Sequence, residues 1–466
     1  MAHLLVAAAF LLVVGLPPAW ALTRHCAFAL PLSGLVAGVV LSPATVGSLV
    51  TGTALWPWAL ACVVAGWALS ALVIGRARHR GGAGLSAPRL RALGLAALVS
   101  APLLAAGVAA PTEYDAKAIW YFHARWSWEG GDVARAALAN PAFDYAHPDY
   151  PPLVPGTTAA LWSVVDGGDL RLAQWVTTLQ TWGAVLLVAM LVVTAVGRRA
   201  ELGVATLGGL FVVGCFGVAG GFGTRGYADL LWAGAAMAGA VATLVLPRRA
   251  GTAPLAAVCF AAAALTKGEG LVVVGGLLVP LAALRWLAGE GRRARGAVGV
   301  LALALVAGLA WPPIAGYYVT DPLQDVTAGG VVELLSGEQD KVDRVEPAVR
   351  GLWGYARTTV LGAGLVIAAG LIVARQDRRR RGLGSGLWLP VAALGCFAVF
   401  VVVLAAGELE LGTWVRDGGF RTMIVVRCLL LTEVFLLASL VLTELVAQRA
   451  AVTGPRRGPA FGQARP

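Results

Sequence analysis

Charged side chains are scarce in this sequence. Asp, Glu, Lys and Arg make up 13% of 466 residues, where a soluble globular chain carries about 25%. With 58% hydrophobic residues and a mean hydropathy of +0.77, that scarcity excludes a water-soluble enzyme of this length. Cysteine is sparse too: Cys26, Cys62, Cys215, Cys259, Cys396 and Cys428 all fall in apolar stretches, and no CxxC pair occurs. They read as small packing residues, which argues against a disulfide framework or a zinc site. A Walker loop, a GxGxxG turn after a strand and a GxSxG elbow are all missing. This argues against ATP-driven transport and against a cytosolic nucleotide-sugar site. The energy for any reaction must then arrive with its substrate.

What the sequence does have is apolar length. Stretches of about 20 residues recur from end to end, each long enough to cross a bilayer core of about 30 Å. They predict an all-α polytopic membrane protein with about thirteen spans, near 4–22, 26–50, 53–75, 92–110, 170–197, 201–223, 226–246, 252–266, 270–287, 297–319, 351–374, 387–407 and 421–446. The first 22 residues lack a basic n-region and read as a first transmembrane helix. Arginine clusters at 76–80, 198–199, 248–249, 292–295, 378–381 and 456–457 separate spans or follow the last one. The positive-inside rule makes them cytoplasmic and puts the N-terminus outside. On that assignment 23 of the 36 basic residues lie inside and 20 of the 25 acids lie outside. The net charge of +11 is therefore topological, and no basic module with interleaved aromatics suggests nucleic acid.

The apolar piece 152–166 is short for a span and contains two prolines, so a helix lying at the outer interface is expected there. Outer segments at 111–169, 320–350 and 408–420 remain, and function is expected on them. The tail from 447 reads as basic, cytoplasmic and solvated. No internal repeat is present.

The first outer segment opens with PTEYDAKAIWYFHARWSWEGGD (111–132), which places Glu113 and Asp115 just past a helix end. Helical spacing puts Ile119, Phe122 and Trp126 on one side. The stretch reads either as an interfacial amphipathic helix or as an aromatic belt whose acids solvate a loop start. It closes with FDYAHPDYPPLVP (143–155), in which prolines stiffen the backbone around Tyr145, His147, Asp149 and Tyr150. That corner suits an acid/base or metal site, or equally a rigid turn whose histidine bonds locally. Cationic points follow at the outer ends of later spans: Arg225 near Asp229, Lys267 near Glu269, then Arg421 and Arg427. Ionisable groups in a span are costly and are functional candidates. Cations at that depth suit a lipid phosphate; the plainer reading is interhelical pairing of Lys267 with Glu269 or Asp229. Glu433 lies near mid-span, with no partner evident from the sequence.

Taken in order, these residues resemble the GT-C glycosyltransferases, the polytopic class of protein O-mannosyltransferases and lipid A aminoarabinose transferases. The likeness is strongest to bacterial members with a W-D-x-x-x-I-W-x-x-x-A stretch followed by H-P-D-Y-P. The first motif appears as Tyr114-Asp115-Ala116-Lys117-Ala118-Ile119-Trp120 with Ala124, tyrosine replacing the usual tryptophan. The second is His147-Pro148-Asp149-Tyr150-Pro151. The resemblance covers about 92–446 and leaves three extra spans, 1–91, outside it.

It implies a GT-C-like helical bundle and an inverting transferase at the outer face of the cytoplasmic membrane. The donor would be a polyprenyl-phosphate sugar and the acceptor a cell-envelope glycan, lipid or protein. Asp115 would be the general base, with Glu113 in reserve or support. Lys267, Arg421, Arg225 and Arg427 would hold the lipid phosphate, and His147, Asp149, Tyr150, Lys117 and Trp120 would surround the substrate. No cofactor is required; a divalent metal, used by relatives such as the oligosaccharyltransferases, is left open by Asp144 and Asp149. The rivals are a transporter or flippase of lipid-linked saccharides, which should show repeats and broken helices, and a ligase or polymerase of lipid-linked glycans. The latter usually relies on a late outer loop rich in arginine and histidine, whereas 320–350 has seven acids and no histidine.

Overall fold

A computed structural model describes residues 1–78, 90–165, 167–249, 251–288, 292–319, 328–374 and 387–453. The arginine run 378–381, the tail from 454, residues 79–80 of the first basic cluster and the stretch 320–327 lie outside the described residues. Among those described, every regular element is helical. Ten helices among the described residues are long and apolar enough to cross a membrane, or eleven if one bent pair counts as a single span. The chain is an all-α, multi-pass membrane protein.

The N-terminal helices α1 (Ala2–Thr23), α2 (Cys26–Thr51) and α3 (Leu55–Arg78) come first, followed by the bent pair α4 (Leu90–Ser100) and α5 (Pro102–Ala109). The pair turns by 40° where Pro102 at the first position of α5 removes a backbone donor. Helices α6 (Phe122–Glu129), α7 (Gly131–Leu138) and α8 (Leu153–Val165) precede the long α9 (Leu170–Val196) and α10 (Glu201–Val218). Then come α11 (Asp229–Ala240), α12 (Thr252–Thr266), α13 (Gly268–Val273), α14 (Val279–Leu287), α15 (Arg292–Leu309) and α16 (Trp311–Tyr318). The last third holds α17 (Ala328–Ser336), α18 (Gln339–Val342), α19 (Val345–Ala374), α20 (Trp388–Ala406) and α21 (Leu411–Thr453).

Helix α2 runs through the interior of this bundle. Small residues let its neighbours approach: a Cβ on Gly183 of α9 would stand 2.6 Å from the Pro31 carbonyl oxygen, and one on Gly38 would meet Leu153 of α8 at 2.7 Å. Close approach of this kind substitutes for a hydrophobic driving force, which lipid cannot supply. Deep polar groups find partners across the same seam, with Gln180 Nε2 donating to the Gly34 carbonyl at 3.0 Å.

Asp229–Val245 and Thr252–Thr266 are apolar helices shorter than the ten, and α11 is fully covered by its neighbours. Several expectations need correction. Within the piece 152–166, Leu153–Val165 is a helix, yet Leu153 to Trp162 are all buried in protein, so no face of those ten residues is left for an interface. The aromatic stretch is no belt either. Its first part, Ala116–Tyr121, is a π-helical segment in which Trp120 and Tyr121 are 0% and 1% exposed. Of the supposed loop 408–420, all from Leu411 on is helix. Glu410 caps it, accepting from the backbone N–H groups of Gly412 and Thr413 at 3.0 and 2.8 Å. Likewise 328–350 is mostly helical, latched to the end of α20 by Lys341, which donates to Glu408 at 2.8 Å and to the Ala406 carbonyl at 3.3 Å.

Candidate functional site

Four separated stretches meet at one end of the bundle, the end where His3 pairs with Asp169 at 2.9 Å. Gln174 on α9 staples two of them. It accepts from Thr112 Oγ1 at 2.7 Å, and its Nε2 donates to the carbonyls of Thr224 at 2.7 Å and Ala110 at 3.2 Å. The backbone N–H of Glu113 donates to the Arg225 carbonyl at 3.2 Å, and the two side chains form an ion pair. Gly226 makes the close approach possible. Its φ of +93° suits glycine, and a Cβ there would stand 2.4 Å from the Tyr121 hydroxyl. The turn 224–228 therefore presses on the π-helical segment that follows Asp115.

At the centre stands Asp229, 0% exposed, at the start of α11. Its Oδ1 accepts from Lys267 Nζ at 2.9 Å and its Oδ2 from Arg421 Nε at 3.0 Å. Arg421 Nη1 also donates to Asp115 Oδ2 at 2.7 Å, and Lys267 Nζ reaches Glu269 Oε1 at 2.7 Å. A chain of alternating charges thus runs from Asp115 through Arg421, Asp229 and Lys267 to Glu269. The backbone of Lys267 is extended (φ −155°, ψ 151°), which breaks the helical path between α12 and α13 and turns the ammonium inward. Removing one partner of such a buried set leaves an uncompensated charge, at a cost of about 3–5 kcal/mol.

Beside this chain lies a cavity of about 640 Å³. His147, Tyr150, Lys267, Glu269 and Arg421 form its polar side, and Val272, Phe400, Val403 and Leu404 an apolar wall. Trp414 and Asp417 of α21 complete the rim. The His-Pro corner is held by ring stacking, with Tyr150 5.2 Å from Trp120 and 4.7 Å from His147 between ring centroids. His147 adopts a left-handed conformation, φ 51°, uncommon outside glycine. Trp311 fixes the next turn by donating to the Asp149 carbonyl at 2.7 Å. Burial, then the nearby Lys267, hold the His147 imidazole below the ordinary histidine range, and burial raises the Tyr150 hydroxyl well above its own. Both are neutral at physiological pH.

The structure brings together Asp115, Lys267, Arg421, His147, Asp149 and Tyr150, with Glu113 and Arg225 paired beside them. Asp115 is behind Arg421 and outside the cavity wall. Three other candidates do not line the cavity. Lys117 is exposed, Trp120 is buried behind Tyr150, and Arg427 points to Thr359 on α19, donating at 3.3 Å, away from the cavity. No group of three or more His, Cys, Asp or Glu side chains among the described residues is gathered for a metal ion. Lys267 pairs with Asp229 and Glu269 at once, as the plainer reading of that lysine expects. Asp229 was legible only as a possible partner, although a carboxylate opening an uninterrupted apolar run has to be paired. The cavity residues Trp414 and Asp417 carried no sequence signal.

Chemically, two cations bridged by a buried carboxylate, set against an apolar wall, suit an amphiphile with an anionic head. Compared with known proteins, the chain matches no protein-family model, no curated protein and no solved structure.

Proposed function

We propose that this protein is a GT-C-type glycosyltransferase that moves a sugar from a polyprenyl-phosphate donor to an acceptor at the outer face of the membrane. The observation that carries the reading is the pairing of Lys267 with Arg421 across Asp229, at the edge of a cavity of about 640 Å³ with an apolar wall. The donor's phosphate sits by the two cations and its isoprenoid chain lies along Val272, Phe400 and Val403. The leaving group is a phosphate, which requires charge stabilisation and no protonation. Asp115 acts as general base on the acceptor, and Arg421 couples it to the phosphate. Glu113 and Arg225 position the first loop. Asp229–Val245 and Thr252–Thr266 cross with the other helices, giving the thirteen-span topology with the site outside.

The test is transfer from radiolabelled polyprenyl-phosphate sugars by protein reconstituted in lipid. Wild type should pass label to an acceptor. Asp115→Asn should lose at least a hundredfold in turnover, while Lys267→Ala should weaken apparent donor affinity. Normal turnover by Asp115→Asn sinks the base assignment. Labelled lipid crossing the bilayer equally with both proteins, without donor consumption, overturns the transferase in favour of a transporter.

A further inference from the structure

Lys267 is 4% exposed, and two carboxylates share it. Of the three donors on its ammonium, one meets Asp229 at 2.9 Å and another Glu269 at 2.7 Å. The two carboxylates are held very differently. Asp229 is fully buried and its second oxygen is bound by Arg421. The Glu269 side chain is 24% exposed and forms part of the cavity lining. It adjoins Gly268, where an added Cβ would meet no atom within 4 Å. An anion entering the cavity therefore meets Glu269 before it meets Lys267. Arg421 differs again. A guanidinium has five donors, and its contacts with Asp115 and Asp229 use Nε and Nη1, so it can take an anion without releasing a partner.

We infer that Glu269 is a displaceable counter-ion, a gate that occupies on Lys267 the place a phosphate group takes. This rests on the reading of the cavity as a phosphate site. The chain from Asp115 to Glu269 holds three carboxylates and two cations. Adding a phosphate while Glu269 stays in place sets like charges side by side where little water screens them. Exchanging one for the other avoids that repulsion. The gate thus discriminates by charge, since a neutral lipid has nothing to offer Lys267 in return for Glu269. The shared chemistry is an anionic phosphate, whether the diester of the donor, the monoester that transfer releases or inorganic phosphate, and a gate on Lys267 acts on each.

The experiment is equilibrium binding of undecaprenyl phosphate, and separately of inorganic phosphate, to the full chain in phosphatidylcholine nanodiscs. Glu269→Gln keeps the shape and removes the charge, and should bind both probes at least tenfold tighter than wild type. Glu269→Ala should gain likewise, so either variant carries the test should the other fail to fold. Glu269→Asp keeps the charge and should gain nothing, and Lys267→Ala should lose binding. Unchanged or weaker binding by the neutral variants, with Lys267→Ala still defective, overturns the gate and leaves the phosphate site standing. Equal binding by wild type and Lys267→Ala overturns both. A gain for the lipid alone locates the effect on the tail and overturns the gate.

Discussion

Asp229 illustrates what a single buried charge demands of its surroundings. It is fully enclosed, so its ionised form persists only because Lys267 and Arg421 each take one oxygen. His123 shows the opposite solution, in which a titratable group is kept neutral. Its ring stacks on Trp126 at 4.6 Å, and burial pulls its pKa down from 6.5 to about 3 despite a bond to the Ala146 backbone. Between those two values the unfolded chain takes up a proton that the folded chain refuses. Folding stability therefore has its full contribution from His123 above pH 6.5 and loses it as pH falls toward 3. The slope is at most about 1.4 kcal/mol per pH unit. Apparent melting temperature in detergent should drop between pH 7 and 5, and His123→Gln should flatten that part of the profile. An identical slope in the variant would assign the effect to other groups, such as His147.

Among elements, the short interior helices are the ones a hydropathy window reads least well. Helix α12 is 15 residues long and α8 is 13, and both lie in the protein interior where length need not match a bilayer. The seam between α2 and α9 depends on glycine for a steric reason. A Cβ on Gly183 would stand 2.6 Å from a backbone oxygen, which cannot rotate away as a side chain can. Gly183→Val should destabilise the bundle by about 1–3 kcal/mol through overpacking, read as a melting temperature several degrees lower. Gly214→Val is the control, because a Cβ at Gly214 meets no atom within 4 Å. Equal shifts in the two would mean that helix propensity, and not the seam, sets the loss.

For the whole molecule, the proposed topology puts opposite ends of the bundle on opposite sides of a membrane. Tyr145 is 54% exposed at the site end, and Arg199 is exposed where α9 turns into α10. In a cysteine-free background an impermeant maleimide should label Tyr145→Cys on intact cells and Arg199→Cys only after permeabilisation; the reverse pattern inverts the topology. The all-α, multi-pass architecture was legible in the chain because apolar length and charge placement are local quantities, each readable within one window. So was the list of costly ions, Asp115, Lys267 and Arg421, since a charge beside apolar residues is conspicuous wherever it lies. Their meeting was not legible. Asp115 and Arg421 are 306 positions apart, and only the packing of α11, α13 and α21 at one end sets them around Asp229. The same packing separated residues that looked equivalent in sequence: Arg421 faces the cavity while Arg427, on the same helix, turns to α19. A helical periodicity predicts which residues share a face, but which neighbour covers that face is decided by tertiary contacts.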